Sequence, residues 1–139
     1  GMIAAEGAHA LRLGEGQLVL VAEDDPAIRD LVRDGLEALG YNVLTAENGW
    51  AALDIASSLD GQIDAVLADV VMPKLGGVDL IERLTDEGAG PAALLMSGHP
   101  LTEDASRVIR RGARFLQKPF TMAELADAVA DTVRERAER

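Results

Sequence analysis

Short apolar runs alternate with amphipathic segments along most of the chain, and from Gln17 onward they predict five strand and helix pairs. The predicted strands cover residues 18–22, 42–46, 63–69, 92–97 and 114–117, and the predicted helices cover 26–39, 50–59, 78–84, 103–111 and 122–136. Strands this short and apolar are typical of a parallel sheet that is buried on both faces. Because strands and helices alternate, the crossovers are expected to be right-handed, which predicts an α/β domain with helices on both faces.

Helix-end signals support this interpretation at both ends of the domain. Pro26 suits the first turn of a helix, and Gly40 suits the position just after its last turn. Thr121 is a candidate N-cap for the last helix, and Glu124 stands three residues later, as in a capping box. These signals predict where the first and last helices begin or end.

Polar side chains stand at the carboxyl ends of four predicted strands. The first strand is followed by Glu23, Asp24 and Asp25, the third ends on Asp69, the fourth ends on Ser97, and the fifth lies just before Lys118. Carboxyl ends of parallel strands meet at one edge of the sheet, where open α/β sheets bind ligands. Carboxylates, a hydroxyl and an ammonium group are therefore expected to gather in one crevice.

The acidic residues predict a site for a divalent cation. Like charges after a buried strand are costly unless a cation neutralises them. Glu23, Asp24 and Asp69 offer hard oxygen ligands without His or Cys, which suits Mg²⁺ or Mn²⁺ better than zinc. A solvated acidic turn that caps a helix explains the cluster at 23–25 equally well by itself. Asp69 favours the metal site, because residues 70–73 do not begin a helix and leave this carboxylate at the mouth of a loop.

The same crevice contains the groups that phosphoryl transfer needs. A carboxylate beside Mg²⁺, with a cation opposite, can attack a phosphoryl group and keep it as an acyl phosphate. Lys118 and the metal would offset the charge on the phosphoryl oxygens, and Ser97 would donate a hydrogen bond to one of them. Taken alone, Ser97 fits an ordinary turn and Lys118 fits an exposed loop. Their joint placement favours the phosphoryl site.

Composition narrows the classes of function. With 139 residues the chain has the length of one domain. A formal net charge of −11 would repel a nucleic-acid backbone, so direct nucleic-acid binding is not expected. No apolar stretch approaches the roughly 20 residues that span a bilayer, and the absence of cysteine excludes disulfides and thiolate metal sites. Residues 1–16 are expected to be a cloning scar at Gly1 followed by a linker.

Four segments, in this order, resemble the receiver domain of two-component response regulators; they are residues 18–26, 69–73, 94–98 and 115–120. The resemblance runs from about Leu18 to about Val133. It implies a receiver domain at 17–139 with a flavodoxin-like (βα)5 three-layer sandwich and a parallel five-stranded sheet in the order 2-1-3-4-5.

The resemblance also implies a role for each site residue. Asp69 would be the phosphoacceptor, and Glu23, Asp24, Asp69 and the backbone carbonyl of Val71 would hold Mg²⁺. Glu23 is longer than the Asp that is commoner at its position, so it is expected to act through a metal-bound water.

The remaining positions of the pattern concern the response to phosphorylation. Ser97 and Lys118 stand where the family binds the phosphoryl group, and the family's Lys-Pro bond is usually cis. Ser97 and Phe115 stand at the switch positions, although Phe115 has no hydroxyl to donate. A strand residue packed under the last helix is an equally good interpretation of Phe115.

The implied function is that of a phosphorelay switch. A histidine kinase or phosphotransfer protein would donate the phosphoryl group, and a downstream protein of unknown identity would read the changed surface, in the cytoplasm. The domain itself is not expected to be an enzyme. The segments are most similar to receivers of hybrid sensor histidine kinases, whose parent protein would be a kinase.

Three other classes remain as alternatives. A phosphatase of the haloacid dehalogenase type needs an acid two residues after its nucleophile, where this chain has Val71. A flavodoxin-like flavin binder needs a phosphate loop after the first strand, where the acids at 23–25 would repel a phosphate. A degenerate receiver would act only as a phosphorylation-independent interaction module, although every expected site position is filled. Separately, a basic patch lies on and just after the fourth predicted helix and is either a solvated face or a partner contact; it comprises Arg107, Arg110, Arg111 and Arg114.

Overall fold

Five strands and five helices alternate in the computed structural model, which describes residues 10–85 and 90–139. The strands are β1 (Leu18–Ala22), β2 (Asn42–Ala46), β3 (Ala65–Asp69), β4 (Ala92–Ser97) and β5 (Arg114–Gln117). The helices are α1 (Pro26–Ala38), α2 (Gly49–Ser58), α3 (Gly77–Thr85), α4 (Glu103–Arg110) and α5 (Met122–Ala137). The predicted scar at Gly1 and residues 1–9 of the predicted linker lie outside the described residues.

The strands form one parallel sheet in the order β2-β1-β3-β4-β5, which confirms the predicted topology. β1 lies between β2 and β3, and its last residue, Ala22, pairs with Ala46 on one side and Ala68 on the other. This register places the residues after β1 beside the end of β3. The carboxyl ends of the strands therefore meet, as the sequence predicts.

Each face of the sheet is covered by its own apolar layer. Val19 and Val21 of β1 point to the layer formed with α1 and α5, whereas Leu20 and Ala22 point to the layer formed with α2, α3 and α4. All four side chains are fully buried, which explains the continuous apolar runs in the sequence. None of the helices in the described residues is long and apolar enough to cross a membrane.

Most of the predicted element ends agree with the structure to within one residue, but the third strand begins at Ala65 rather than at residue 63. Asp64, the residue before β3, is held by its side chain. Its Oδ2 accepts the backbone N–H of Leu18 at 2.9 Å, and its Oδ1 accepts a hydrogen bond from Arg136 at 2.8 Å. The side chain thus ties the start of β1 to the end of α5, while β3 begins one residue later.

Capping side chains and a glycine mark the ends of the first and last helices, as predicted. Thr121 and Glu124 form a complete capping box at the start of α5. Gly40 follows α1 with a φ of +100°, a conformation that favours glycine. Asp25 is the N-cap of α1, because its carboxylate accepts the N–H groups of Ala27 and Ile28.

Candidate functional site

Three carboxylates converge where β1 and β3 end. Glu23 and Asp24 follow β1, and Asp69 is the last residue of β3. One oxygen from each side chain lies within 4.8 Å of the others. Glu23 is fully buried and Asp69 is 8% exposed, whereas Asp24 faces solvent. The cluster is therefore buried on two sides and open on the side of Asp24.

The acidic residues that follow β1 have two different roles. The N–H of Asp24 donates to Glu23 Oε2 at 3.0 Å, which keeps these two residues together at the sheet edge. Asp25 turns away and caps α1 instead. Both interpretations of the acidic sequence therefore apply, but to different residues.

Lys118 bridges the two buried carboxylates. Its Nζ donates to Glu23 Oε1 and to Asp69 Oδ2, each at 2.6 Å, and its side chain is only 18% exposed. The backbone N–H of Lys118 donates to the carbonyl of Ser97 at 2.9 Å, and the peptide bond to Pro119 is cis. The loop between β5 and α5 thus carries the cation into the site.

Burial and charge act in opposite directions on this cluster. Burial raises the pKa of Glu23 to about 7; the ion pair with Lys118 opposes this rise, and the neighbouring Asp69 adds to it. Burial lowers the pKa of Lys118, but its ion pairs with Asp69 and Glu23 outweigh this effect and raise it above the usual value. Burial is the largest of the effects on Glu23, so the net result is a raised pKa.

Backbone contacts hold Asp69 in place. Its Oδ1 accepts the N–H of Val71 at 3.0 Å, and the N–H of Val70 donates to the carbonyl of Met96 at 2.9 Å. A Cβ on Gly77 would lie 2.3 Å from the carbonyl oxygen of Asp69, so α3 can begin here only with glycine. The close approach of α3 therefore fixes the backbone that carries the carboxylate.

The loop between β3 and α3 is fixed from its other side as well. Met72 and Leu75 are buried in the core, at 8% and 5% exposure. The N–H of Gly49, the first residue of α2, donates to the carbonyl of Leu75 at 3.1 Å. The loop is therefore a rigid support for the end of β3.

Ser97 ends β4, the strand next to β3, and Phe115 lies one strand further along the sheet; neither side chain is hydrogen-bonded to the carboxylates. The Oγ of Ser97 accepts the backbone N–H of His99 at 3.0 Å, so within the described residues this hydroxyl is directed to its own loop. Phe115 is half-buried in the layer formed with α2, α3 and α4. Because α5 covers the opposite face, the alternative that Phe115 packs under the last helix is wrong.

Two residues of the site were not anticipated from the sequence. Arg29 Nη1 donates to the carbonyl oxygen of Glu23 at 2.9 Å, and Gly77 contacts the backbone of Asp69. A cation near the start of a helix interacts unfavourably with the helix dipole. The position of Arg29 in the first turn of α1 therefore indicated that a nearby acceptor compensates its charge. Gly77 carries no comparable local signal, because its role depends on a through-space contact.

The basic patch is largely neutralised within the domain. Arg107 and Arg111 on and after α4 contact Glu82 of α3 at 2.7 and 3.7 Å. Arg110 and Arg114 contact carboxylates of α4 and α5, respectively. These ion pairs favour the interpretation of a solvated helix face.

The donor set of the acidic cluster fits a hard divalent cation. It offers carboxylate oxygens and no nitrogen or sulfur ligand, which matches the preference of Mg²⁺. Lys118 brings one positive charge to a cluster of three carboxylates.

Comparison with known proteins identifies the family of the chain. The family model described as the response regulator receiver domain matches residues 19–130. The chain belongs to this family. It is a receiver domain, the phosphoacceptor module of two-component signalling. The crystal structure of a receiver domain protein from Clostridium thermocellum superposes with a TM-score of 0.81 at 28% identity, over 88% of this chain and 98% of that one. That of CheY4 from Vibrio cholerae has a TM-score of 0.75 at 26% identity, over 84% and 98%.

The relatives include both sensor kinases and regulators. Sensor kinase CckA of Brucella abortus is 34% identical over 91% of this chain and 14% of that protein. Sensor histidine kinase RcsC of Escherichia coli is 33% identical over 90% and 13%. The transcriptional regulator NtrC of Azospirillum brasilense is 37% identical over 80% and 23%. The chain therefore spans less than a quarter of each of these proteins.

Proposed function

We propose that Asp69 is the phosphoacceptor of this receiver domain. Mg²⁺ would be held by Glu23, Asp24, Asp69 and the backbone carbonyl of Val71, with Mn²⁺ as a substitute. The observation that carries the proposal is the position of Lys118, which bridges Glu23 and Asp69 at 2.6 Å inside an otherwise acidic cluster. Because the carboxylates of Glu23 and Asp69 share the single ammonium group of Lys118, the site can accept a further charged group.

The side chains divide the chemistry as follows. A carboxylate oxygen of Asp69 attacks phosphorus, the phosphorus–nitrogen bond of a donor phosphohistidine breaks, and the imidazole nitrogen leaves with the bonding pair. Mg²⁺, when bound, supplies positive charge that stabilises the transferring oxygens. The ammonium group of Lys118 would add positive charge that stabilises the same oxygens. Val71 offers no acid or base two residues after Asp69, so the acyl phosphate is held rather than turned over as in a phosphatase.

Ser97 and Phe115 would report the phosphorylated state. The Ser97 hydroxyl accepts a hydrogen bond from the backbone N–H of His99. On phosphorylation it would turn and donate a hydrogen bond to a phosphoryl oxygen. Phe115 belongs to the same sheet face as Leu95 of the neighbouring β4 and packs toward the α4 side. Movement of the β4–α4 loop would therefore be transmitted to Phe115 and to the surface of α4.

The proposed partners follow from this chemistry. The donor is a histidine kinase or a phosphotransfer protein, and the reader of the changed surface is a further protein that is not identified by the chain itself. We place the domain in the cytoplasm, where such donors act, and without a direct role in nucleic-acid binding, because its net charge is −11. Similarity to CckA and RcsC supports a hybrid sensor kinase as the parent protein. The domain would be a substrate of the relay rather than an enzyme.

Labelling with radioactive acetyl phosphate tests the assignment. Wild type should incorporate label only when Mg²⁺ is present, and Asp69→Asn should lose it. Asp54→Asn is the matched control, because Asp54 is an exposed aspartate of α2. Label retained by Asp69→Asn would refute the site. Failure of wild type to take up label or to be stabilised by Mg²⁺ would favour an interaction module that acts without phosphorylation.

A further inference from the structure

Residues 10–16, which we call the strap, precede β1 and lie against the rest of the domain. The N–H of Gly14 donates to the carbonyl of Leu39 at 2.7 Å, and the N–H of Gly16 donates to the carbonyl of Gly40 at 2.9 Å. The Nδ2 of Asn42 donates to the carbonyl of Gly16 at 2.8 Å. The strap is thus hydrogen-bonded to the end of α1 and to the first residue of β2.

Glycine residues permit this close contact. A Cβ on Gly14 would lie 2.6 Å from the ring of Tyr41, and a Cβ on Gly40 would lie 2.9 Å from the carbonyl oxygen of Gly14. Tyr41 itself is only 4% exposed and belongs to the layer formed with α1 and α5. The strap therefore packs over Tyr41, a residue of the core. A side chain at position 14 would clash with the Tyr41 ring and displace the strap.

An ion pair ties the strap to α5. Arg12 Nη1 lies 2.8 Å from Asp131 Oδ1 and 3.7 Å from Asp127 Oδ1. α5 begins at Met122, shortly after Lys118 of the acidic cluster. The strap thus contacts the helix that follows the site, at the edge of the sheet opposite to Asp69.

We propose that residues 10–16 are a built-in strap that stays closed over Tyr41 and stabilises the domain, rather than a free tether. The match with the sensor kinase CckA extends into this segment. That match covers 91% of the 139 residues, which is more than residues 17–139 can supply, so it reaches into the segment before Gln17.

Trypsin cleavage after Arg12 measures whether the strap is held. The next arginine is Arg29 inside α1, so cleavage at Arg12 gives a distinct product. Gly14→Val should expose the bond and raise the cleavage rate about tenfold or more, because cleavage then needs no opening of the strap. Asp131→Asn should raise it less, since it removes only the ion pair. Asp34→Asn, which alters an exposed ion pair of α1, should leave the rate unchanged.

Tyr41 provides a second measurement that does not depend on the protease, because it is the only tyrosine. Burial raises the pKa of Tyr41, and the charge of Arg12 opposes this rise. Phenolate absorbance should therefore appear at lower pH in Gly14→Val than in wild type. Equal cleavage rates together with equal titration curves would overturn the proposal. Acetyl phosphate labelling should persist in both strap variants, so failure of the strap and failure of the Asp69 assignment are distinguishable.

Discussion

Glu23 makes the stability of the metal-free domain depend on pH in an unusual direction. Its pKa rises from 4.5 to about 7 on folding, because the carboxyl group is buried. The folded state therefore holds the proton more tightly than the unfolded chain does. The resulting contribution to stability is complete below pH 4.5 and is lost as the pH rises through about 7.

The expected size of the effect follows from this shift. At 1.36 kcal/mol per pKa unit, moving the pKa of Glu23 from 4.5 to about 7 corresponds to about 3 kcal/mol of unfolding free energy. In a domain of this length, that loss lowers the melting temperature by roughly 10 °C. Mg²⁺ should restore stability at pH 8, where it replaces the proton as counter-charge, and have little effect at pH 5.

Calorimetry of wild type and Glu23→Gln at pH 5 and pH 8, with and without Mg²⁺, isolates this contribution. The amide has nearly the same shape and does not titrate, so the difference between the two proteins removes the background from other acids. Asp54→Asn controls for the loss of one acidic residue. If Glu23→Gln retained the full pH dependence of wild type, Glu23 would not be the group responsible for it.

Three substitutions test the support of the site and the core. Gly77→Ala should reduce acetyl phosphate labelling and lower the melting temperature, because its Cβ would meet the carbonyl oxygen of Asp69; unchanged labelling would contradict the close approach. Leu67→Ala, in the fully buried centre of β3, should cost about 2–5 kcal/mol in urea unfolding, and a cost below about 1 kcal/mol would contradict the core assignment. Thr121→Ala should cost about 1 kcal/mol through loss of the capping box, and an unchanged unfolding midpoint would argue against that cap.

The fold could be predicted because its signals are local. Runs such as β1 are apolar on both faces, and the caps at Thr121 and Gly40 depend on residues close in sequence. The gathering of Glu23, Asp69 and Lys118 was also predictable, since parallel strands bring their carboxyl ends to one edge.

What the sequence left open depends on side-chain direction and on contacts between distant segments. Asp24 and Asp25 are chemically identical neighbours, and only the backbone turn into α1 makes one a member of the cluster and the other a cap. Phe115 could pack on either face until the register of β5 was known. The strap was expected to be a linker, because its contacts with Tyr41 involve residues far along the chain.

If Asp69 is the phosphoacceptor, the acyl phosphate forms on its side chain, and chemical mapping can locate it. After incubation with acetyl phosphate and Mg²⁺, borohydride reduces an aspartyl phosphate to homoserine, which mass spectrometry locates in a peptide digest. We expect homoserine at position 69, and we expect none when Mg²⁺ is withheld. Homoserine at position 24, or none at position 69 in a sample that carries label, would contradict the assignment of Asp69.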